Sequence, residues 1–189
     1  MAMIRFVAAL AVAGLLGLAA PAGAASCDNV QVPDSARAGA AGLVLNGLGI
    51  RKATFLKVHV YVAALYLPAK STSGDAILQS GAPWRLSLHF VRSVSAGDIR
   101  GAFTEGFAKA GGAHQALIAE LNGKMTDFAS GHVLGFIHEA GKGVALDVNG
   151  TAYPAIGNAD FASAFLRVFI GAEPPNPELK TGLLGGTCG

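Results

Sequence analysis

Residues 55–67 are the clearest strand in the chain, and their two alternate sets differ in character. Leu56, Val58, Val60, Val62 and Ala64 are all apolar, whereas Phe55, Lys57, His59, Tyr61, Ala63 and Leu65 include three polar groups. Successive strand side chains point to opposite faces. The first set predicts a core-facing side, and the second a side turned to solvent or to a polar-lined cleft. Trp84–Phe90 alternates as cleanly, with Trp84, Leu86, Leu88 and Phe90 together. The fold must therefore include a sheet with at least one apolar face.

Helical periods follow. Ser95-Ala-Gly-Asp98 is a capping-box pattern, and Ile99, Ala102, Phe103 and Phe107 form the stripe behind it. Gly111-Gly112 predicts its stop. Leu117, Ile118, Leu121, Met125 and Phe128 predict a second helix. A meander comes next, over 132–138, 144–148 and 151–156, its last two strands joined by a tight Asn149-Gly150 turn. Phe161, Ala164, Phe165 and Val168 mark a third helix, closed by Gly171, and prolines at 174, 175 and 177 lead to a short one over 178–184. Upstream, Asn46-Gly47 reads as a turn that breaks the strand residues of 43–50. Strands, two helices, strands, then helices predict an α+β domain with helices packed on an antiparallel sheet.

The first 25 residues are set apart from that domain. Arg5 precedes a small-apolar run over 6–20, and Pro21-Ala-Gly-Ala-Ala25 is a small-residue cleavage zone. This reads as a signal peptide, giving a periplasmic or secreted protein whose residues 26–189 form one domain with no stable membrane span. In an oxidising compartment the two cysteines, Cys27 and Cys188, are expected to pair as a clasp between the ends of the mature chain. Two unpaired thiols, or lipidation of Cys27, are the alternatives.

Net charge is only +2 and charged residues make up 14%, with no basic cluster, so no nucleic-acid partner is expected. The five histidines have no metal-ligand spacing, so neither metal nor cofactor is expected, and no nucleophile motif occurs. One local combination carries chemistry. Arg51 follows the Gly47-Leu-Gly49 segment and precedes the strand bearing Lys57, His59 and Tyr61. A guanidinium at a strand edge beside an apolar cleft can hold a carboxylate or an enolate-like oxygen with paired hydrogen bonds. An exposed surface cation is the plainer reading of the same residue.

Residues 45–51, Leu-Asn-Gly-Leu-Gly-Ile-Arg, and the strand 55–67 resemble the opening of the chalcone isomerase-like family. Phe90-Val-Arg-Ser-Val-Ser95, Ala102-Phe-Thr-Glu-Gly-Phe107, Leu121-Asn-Gly-Lys-Met125, Val148-Asn-Gly150, Phe169-Ile-Gly171 and Leu179-Lys-Thr-Gly-Leu-Leu184 continue the resemblance in order, closest to its bacterial secreted branch. The resemblance implies the chalcone isomerase fold, an open-faced β-sandwich with a large antiparallel sheet and helices packed on it. It implies one of two activities: cyclisation of an enone by a phenol oxygen, as in the plant enzymes, or fatty-acid binding with an arginine on the carboxylate.

Residue by residue, the family arginine falls on Arg51. A threonine falls on Tyr61, the active-site tyrosine on Ile99, an asparagine on Gly106, and a threonine or serine on Val168. Losing three polar groups argues against chalcone cyclisation and leaves an apolar pocket with an arginine at its mouth. The leading expectation is a small amphipathic anion such as a fatty acid, with Arg51 on the acid group and Tyr61 beside it. Lys57 and His59 are further polar candidates, and Phe103, Phe107 and Phe165 candidates for the apolar part. The rivals are an isomerase or lyase on an enone-like molecule, using Arg51 as electrophile and Tyr61 as acid or base, and a cell-envelope interaction module with no small ligand.

Overall fold

The computed structural model describes residues 23–53 and 56–188. The expected signal peptide lies outside the described residues up to position 22, as does Phe55. A hairpin of β1 (Ala24–Cys27) and β2 (Val30–Pro33) comes first, so Ala24 and Ala25 are strand residues paired with Pro33 and Val32. Seven strands then form one antiparallel sheet in chain order. They are β3 (Ser35–Ala38), β4 (Ala41–Ala53), β5 (Val58–Leu67), β6 (Trp84–Phe90), β7 (Val133–His138), β8 (Val144–Val148) and β9 (Thr151–Ile156). The helices are α1 (Gly74–Ser80), α2 (Ala96–Lys109), α3 (Gln115–Asn122), α4 (Ala159–Ile170) and α5 (Pro177–Leu183).

Both faces of the central strands are buried, each against a different layer. Ala63, Leu65, Leu86, Leu88 and Phe136 join Phe103, Phe107, Phe161, Phe165 and Phe169 of α2 and α4 in the larger core. Val62, Ala64 and Tyr66 face the other way, packing with Leu48, Ile50, Val32 and Cys27 in a smaller core under the β1–β2 hairpin. The expectation of one apolar and one polar face on 55–67 is corrected here. Leu56 is exposed and Lys57 lies in the β4–β5 turn, so the strand begins only at Val58.

Asn46-Gly47 is no turn either. β4 runs through it for thirteen residues, with a bulge between Leu45 and Gly47 that leaves Asn46 out of the ladder. The displaced Asn46 side chain is buried. Its Nδ2 donates to the carbonyls of Ser71 (3.0 Å) and Leu183 (2.7 Å), and its Oδ1 accepts from the Ser71 amide at 2.7 Å. A turn signal thus serves as a buried bracket between β4, the post-β5 loop and α5. Gly47 and Gly49 admit α5: a Cβ on either would collide with the carbonyl of Gly182 or Leu179.

The elements from β6 onward follow the sequence closely, whereas β1, β2, β3 and α1 answer to no pattern singled out there. Ser95 caps α2, its Oγ accepting from the Asp98 amide at 3.1 Å and donating to the Asp98 carboxylate at 2.7 Å. Asn149 and Gly150 both take positive φ between β8 and β9. The second predicted helix is shorter than its stripe. It ends at Asn122, and Met125 and Phe128 reach the core from the following segment, where Phe128 bridges Val94. Cys27 and Cys188 form a disulfide with Cα atoms 5.9 Å apart. Among the described residues no helix is long and apolar enough to cross a membrane.

Candidate functional site

Where β4 and β5 run out past the helices, a cleft of about 460 Å³ opens between the sheet, α2 and the α4–α5 connection. Its position follows from the strand pattern. Gly47, Gly49 and Arg51 alternate along the helix-side face of β4, the glycines lying under α5. The next side chain on that face, Arg51, lies beyond α5 and lines the open end. A second bulge sits beside it: Arg51 pairs with Tyr61 but Lys52 pairs with His59, so Val60 is left between. Val60 and Tyr61 consequently both line the cleft.

That bulge also sets the surroundings of His59 and Lys57, the two further polar candidates. A one-residue slip turns the preceding side chains to the other face. His59 is therefore carried away from Tyr61, and its Nδ1 lies 2.8 Å from Asp28 Oδ2 in the β1–β2 turn. Lys57 is exposed at the tip of the hairpin with φ of 51°. Neither residue reaches the cleft. Arg51, Tyr61, Ile99, Phe103, Gly106 and Val168 do converge on it. Phe107 and Phe165 are core residues instead. Phe107 stacks on Phe161 at 5.6 Å, and Phe165 packs against Phe136 at 4.4 Å. Phe169, one turn from Phe165 on α4, takes the lining place.

Arg51 is held from one side only. Its Nη1 donates to the carbonyls of Lys52 and Pro175, the latter at 3.1 Å. Nη2 and Nε have no hydrogen-bond partner among the described residues. Pro175 is fixed in turn by Asn176, the N-cap of α5. The Asn176 side chain donates to the Ile50 carbonyl and accepts from the Lys52 amide, both at 3.1 Å. It splints β4 to α5 on either side of Arg51. Local sequence gives no sign of this splint, because residues 176 and 51 are brought together only by the fold.

Tyr61 is buried, with its ring edge-on to Phe90 at 5.8 Å. Burial pushes its phenol up to about 12, against a smaller downward pull from Arg51. At neutral pH it is a proton donor, and no base. Behind it the wall is apolar, from Leu88, Ile99, Phe103, Val168 and Phe169. The rim is mixed in charge: Arg92 and Lys109 stand with Asp98, Glu105 and Glu173. Lys109 bonds Glu105, which holds that carboxylate below its ordinary range. Asp98 is engaged by Ser95. Among the described residues no group of histidine, cysteine and carboxylate ligands is placed to hold a metal.

This arrangement, a long antiparallel sheet with the arginine after its Gly-x-Gly strand facing a helix-covered cleft, coincides with a known family pattern. The chalcone isomerase-like family model matches residues 24–185. The chain belongs to that family. Its fold is shared with the crystal structure of an Arabidopsis thaliana fatty-acid binding protein, at a TM-score of 0.69 and 15% identity over 83% of this chain and 92% of that one. No functionally curated protein matches the sequence. The α+β chalcone isomerase fold is thus established for this member of the family. Ile99 and Gly106 of α2 and Val168 of α4 all line the cleft.

Proposed function

We propose that this chalcone isomerase-like protein binds a small amphipathic anion, most simply a fatty acid, in the cleft beside Arg51. One observation carries the reading: a guanidinium with two unengaged nitrogens lies next to a protonated Tyr61 at the rim of an apolar cleft. A carboxylate can accept from such a fork and from the phenol together, while its chain is removed from water along Phe103 and Phe169. The cleft volume falls within the range of small-molecule sites, about 300–1,000 Å³. The solved relative named a fatty-acid binding protein supports the same ligand class. The Cys27–Cys188 disulfide supports an oxidising location, periplasmic or secreted, after removal of the leader.

An isomerase or lyase would need a proton acceptor as well as the electrophilic Arg51. A phenol near 12 is a poor base at neutral pH, which favours binding over turnover. A partner-only envelope module gives no role to a half-buried arginine facing an apolar cleft. Mass spectrometry of ligands extracted from natively purified protein tests the proposal, followed by calorimetric titration with a medium-chain fatty acid. Protein that carries no acyl ligand and takes up none in titration would reject it.

A further inference from the structure

We propose that Asn176 is a positioning residue for Arg51, holding the guanidinium so that its Nε–Nη2 edge, and not its Nη1 end, meets the carboxylate of the ligand. This assignment rests on the anion-binding reading above. Asn176 occupies the N-cap position of α5, where an asparagine side chain ordinarily accepts from an amide of the first turn. Here the side chain makes no capping bond. Its carboxamide goes to β4 and to Glu178 instead. Nδ2 donates to the Ile50 carbonyl at 3.1 Å and to Glu178 Oε2 at 3.2 Å, and Oδ1 accepts from the Lys52 amide at 3.1 Å. A carbonyl and a carboxylate at one atom, and an N–H at the other, settle which way the amide points.

The strand end that carries Arg51 is weakly held by the sheet itself. β3 pairs with β4 only as far as Val44, and among the described residues no other strand is bonded to that edge. On the β5 side the register slips between Arg51 and Lys52. Asn176 binds the backbone of the residues before and after Arg51, as a neighbouring strand would. The residue preceding it supplies the second hold, for the Pro175 carbonyl accepts from Arg51 Nη1 at 3.1 Å. Prolines at 175 and 177 restrict the backbone on both sides of Asn176. Pro175 lines the cleft and Asn176 does not, so Asn176 acts through Arg51. With Nη1 given to the carbonyls of Lys52 and Pro175, Nε and Nη2 are left as the free edge. Two parallel N–H groups match the two oxygens of a carboxylate. A guanidinium already held in place loses less freedom when the ligand binds.

Calorimetric titration with decanoate and with 1-decanol, which has the same chain and no charge, tests it. Asn176→Ala should weaken decanoate binding about three- to tenfold, the cost of ordering one long side chain on binding, and leave decanol binding within about twofold. In the Arg51→Ala background the same substitution should change decanoate affinity by less than about twofold. Asn176→Ser keeps a good capping residue on α5 but is too short to reach Ile50 and Lys52 together. It should bind decanoate as Asn176→Ala does, with thermal unfolding showing both variants folded. In the ligand-free protein, NMR relaxation of the Arg51 Nε–H group should report an ordered side chain in the wild type and a mobile one in both variants. Unchanged Arg51 relaxation, equal losses for decanoate and decanol, or an equal loss with and without Arg51 overturns the proposal. A wild type that binds no decanoate rejects the ligand reading instead, and the relaxation measurement then decides by itself whether Asn176 positions Arg51.

Discussion

Gly106 and Val168 occupy one another's space. A Cβ on Gly106 would stand 2.6 Å from Val168 Cγ1, well inside contact distance. The two meet on the cleft wall, Gly106 from α2 and Val168 from α4. Gly106 therefore has no room for a side chain while Val168 stays as it is. Gly106→Asn is expected to destabilise the fold by about 1–3 kcal/mol through overpacking, despite the gain from removing a mid-helix glycine. Adding Val168→Ala should return part of that loss, with coupling above about 0.5 kcal/mol in a double-mutant cycle. Urea unfolding of the four proteins measures it; additive effects would mean the backbone of α2 shifts to make room.

The same wall predicts catalytic silence toward chalcone. Ile99, Gly106 and Val168 supply no donor to a bound ketone, and Tyr61 with Arg51 are the polar groups left on the sheet side. Conversion of chalcone is expected at the uncatalysed rate. Saturable formation of one flavanone enantiomer, followed by chiral chromatography, would contradict this and direct attention to Tyr61.

Removal of the guanidinium separates ligand binding from folding. Arg51→Ala should weaken fatty-acid binding by about 1.5–3 kcal/mol, the range for a charge-assisted hydrogen bond. Arg51→Lys should recover only part, because an ammonium lacks the planar fork. Stability should fall by about 1 kcal/mol or less, reflecting the bond to the Pro175 carbonyl. Calorimetric titration and thermal unfolding of the three proteins read the two effects apart; equal affinities would remove Arg51 as the anchor.

Tyr61 and Tyr66 are both raised from 10.0 to about 12, in each case chiefly by burial. The folded state therefore holds these protons more tightly than the unfolded chain. Their contribution is whole below pH 10 and is lost as pH rises from there through about 12. Stability should decline across that window, and Tyr61→Phe should flatten the decline. Urea midpoints collected from neutral to alkaline pH provide the test, with a midpoint independent of pH as the contrary result.

Reduction of Cys27–Cys188 should lower stability by roughly 5 kcal/mol if the unfolded chain's loop entropy sets the effect, since the bridge spans 161 positions. The Cys27→Ser and Cys188→Ser variants should match the reduced wild type and be indifferent to reductant. A reduced protein that melts with the oxidised one would show that the hairpin and α5 are held by packing alone.

Periodicity made most of the fold legible. Period two located β5, β6 and the meander, and the capping residues Ser95 and Gly171 located α2 and α4. It failed where one residue departs from the period. At Asn46 a bulge took the place of a turn, and at Val60 a bulge parted His59 from Tyr61. Register shifts depend on cross-strand partners, which local sequence does not contain. The place of Arg51 at an apolar cleft was legible from its position just after Gly47-Leu-Gly49 and ahead of the strand bearing Tyr61. Asn176 and Pro175, which fix its position, lie 124 residues or more along the chain and carry no local signal. Likewise, α2 and α4 each offer several aromatic residues, and only packing decides that Phe169 and Phe103 meet the cleft while Phe165 and Phe107 do not.

The clasp between Cys27 and Cys188 also closes the described chain into a ring. A protease that cuts once between these residues, for instance after the exposed Lys57, opens the ring without releasing a fragment. The two pieces stay covalently joined, with α5 still seated on β4 and the first hairpin still on the sheet. In a compartment rich in proteases, damage at a tip would thus leave one molecule where an unclasped chain would become two, and only reduction would part them.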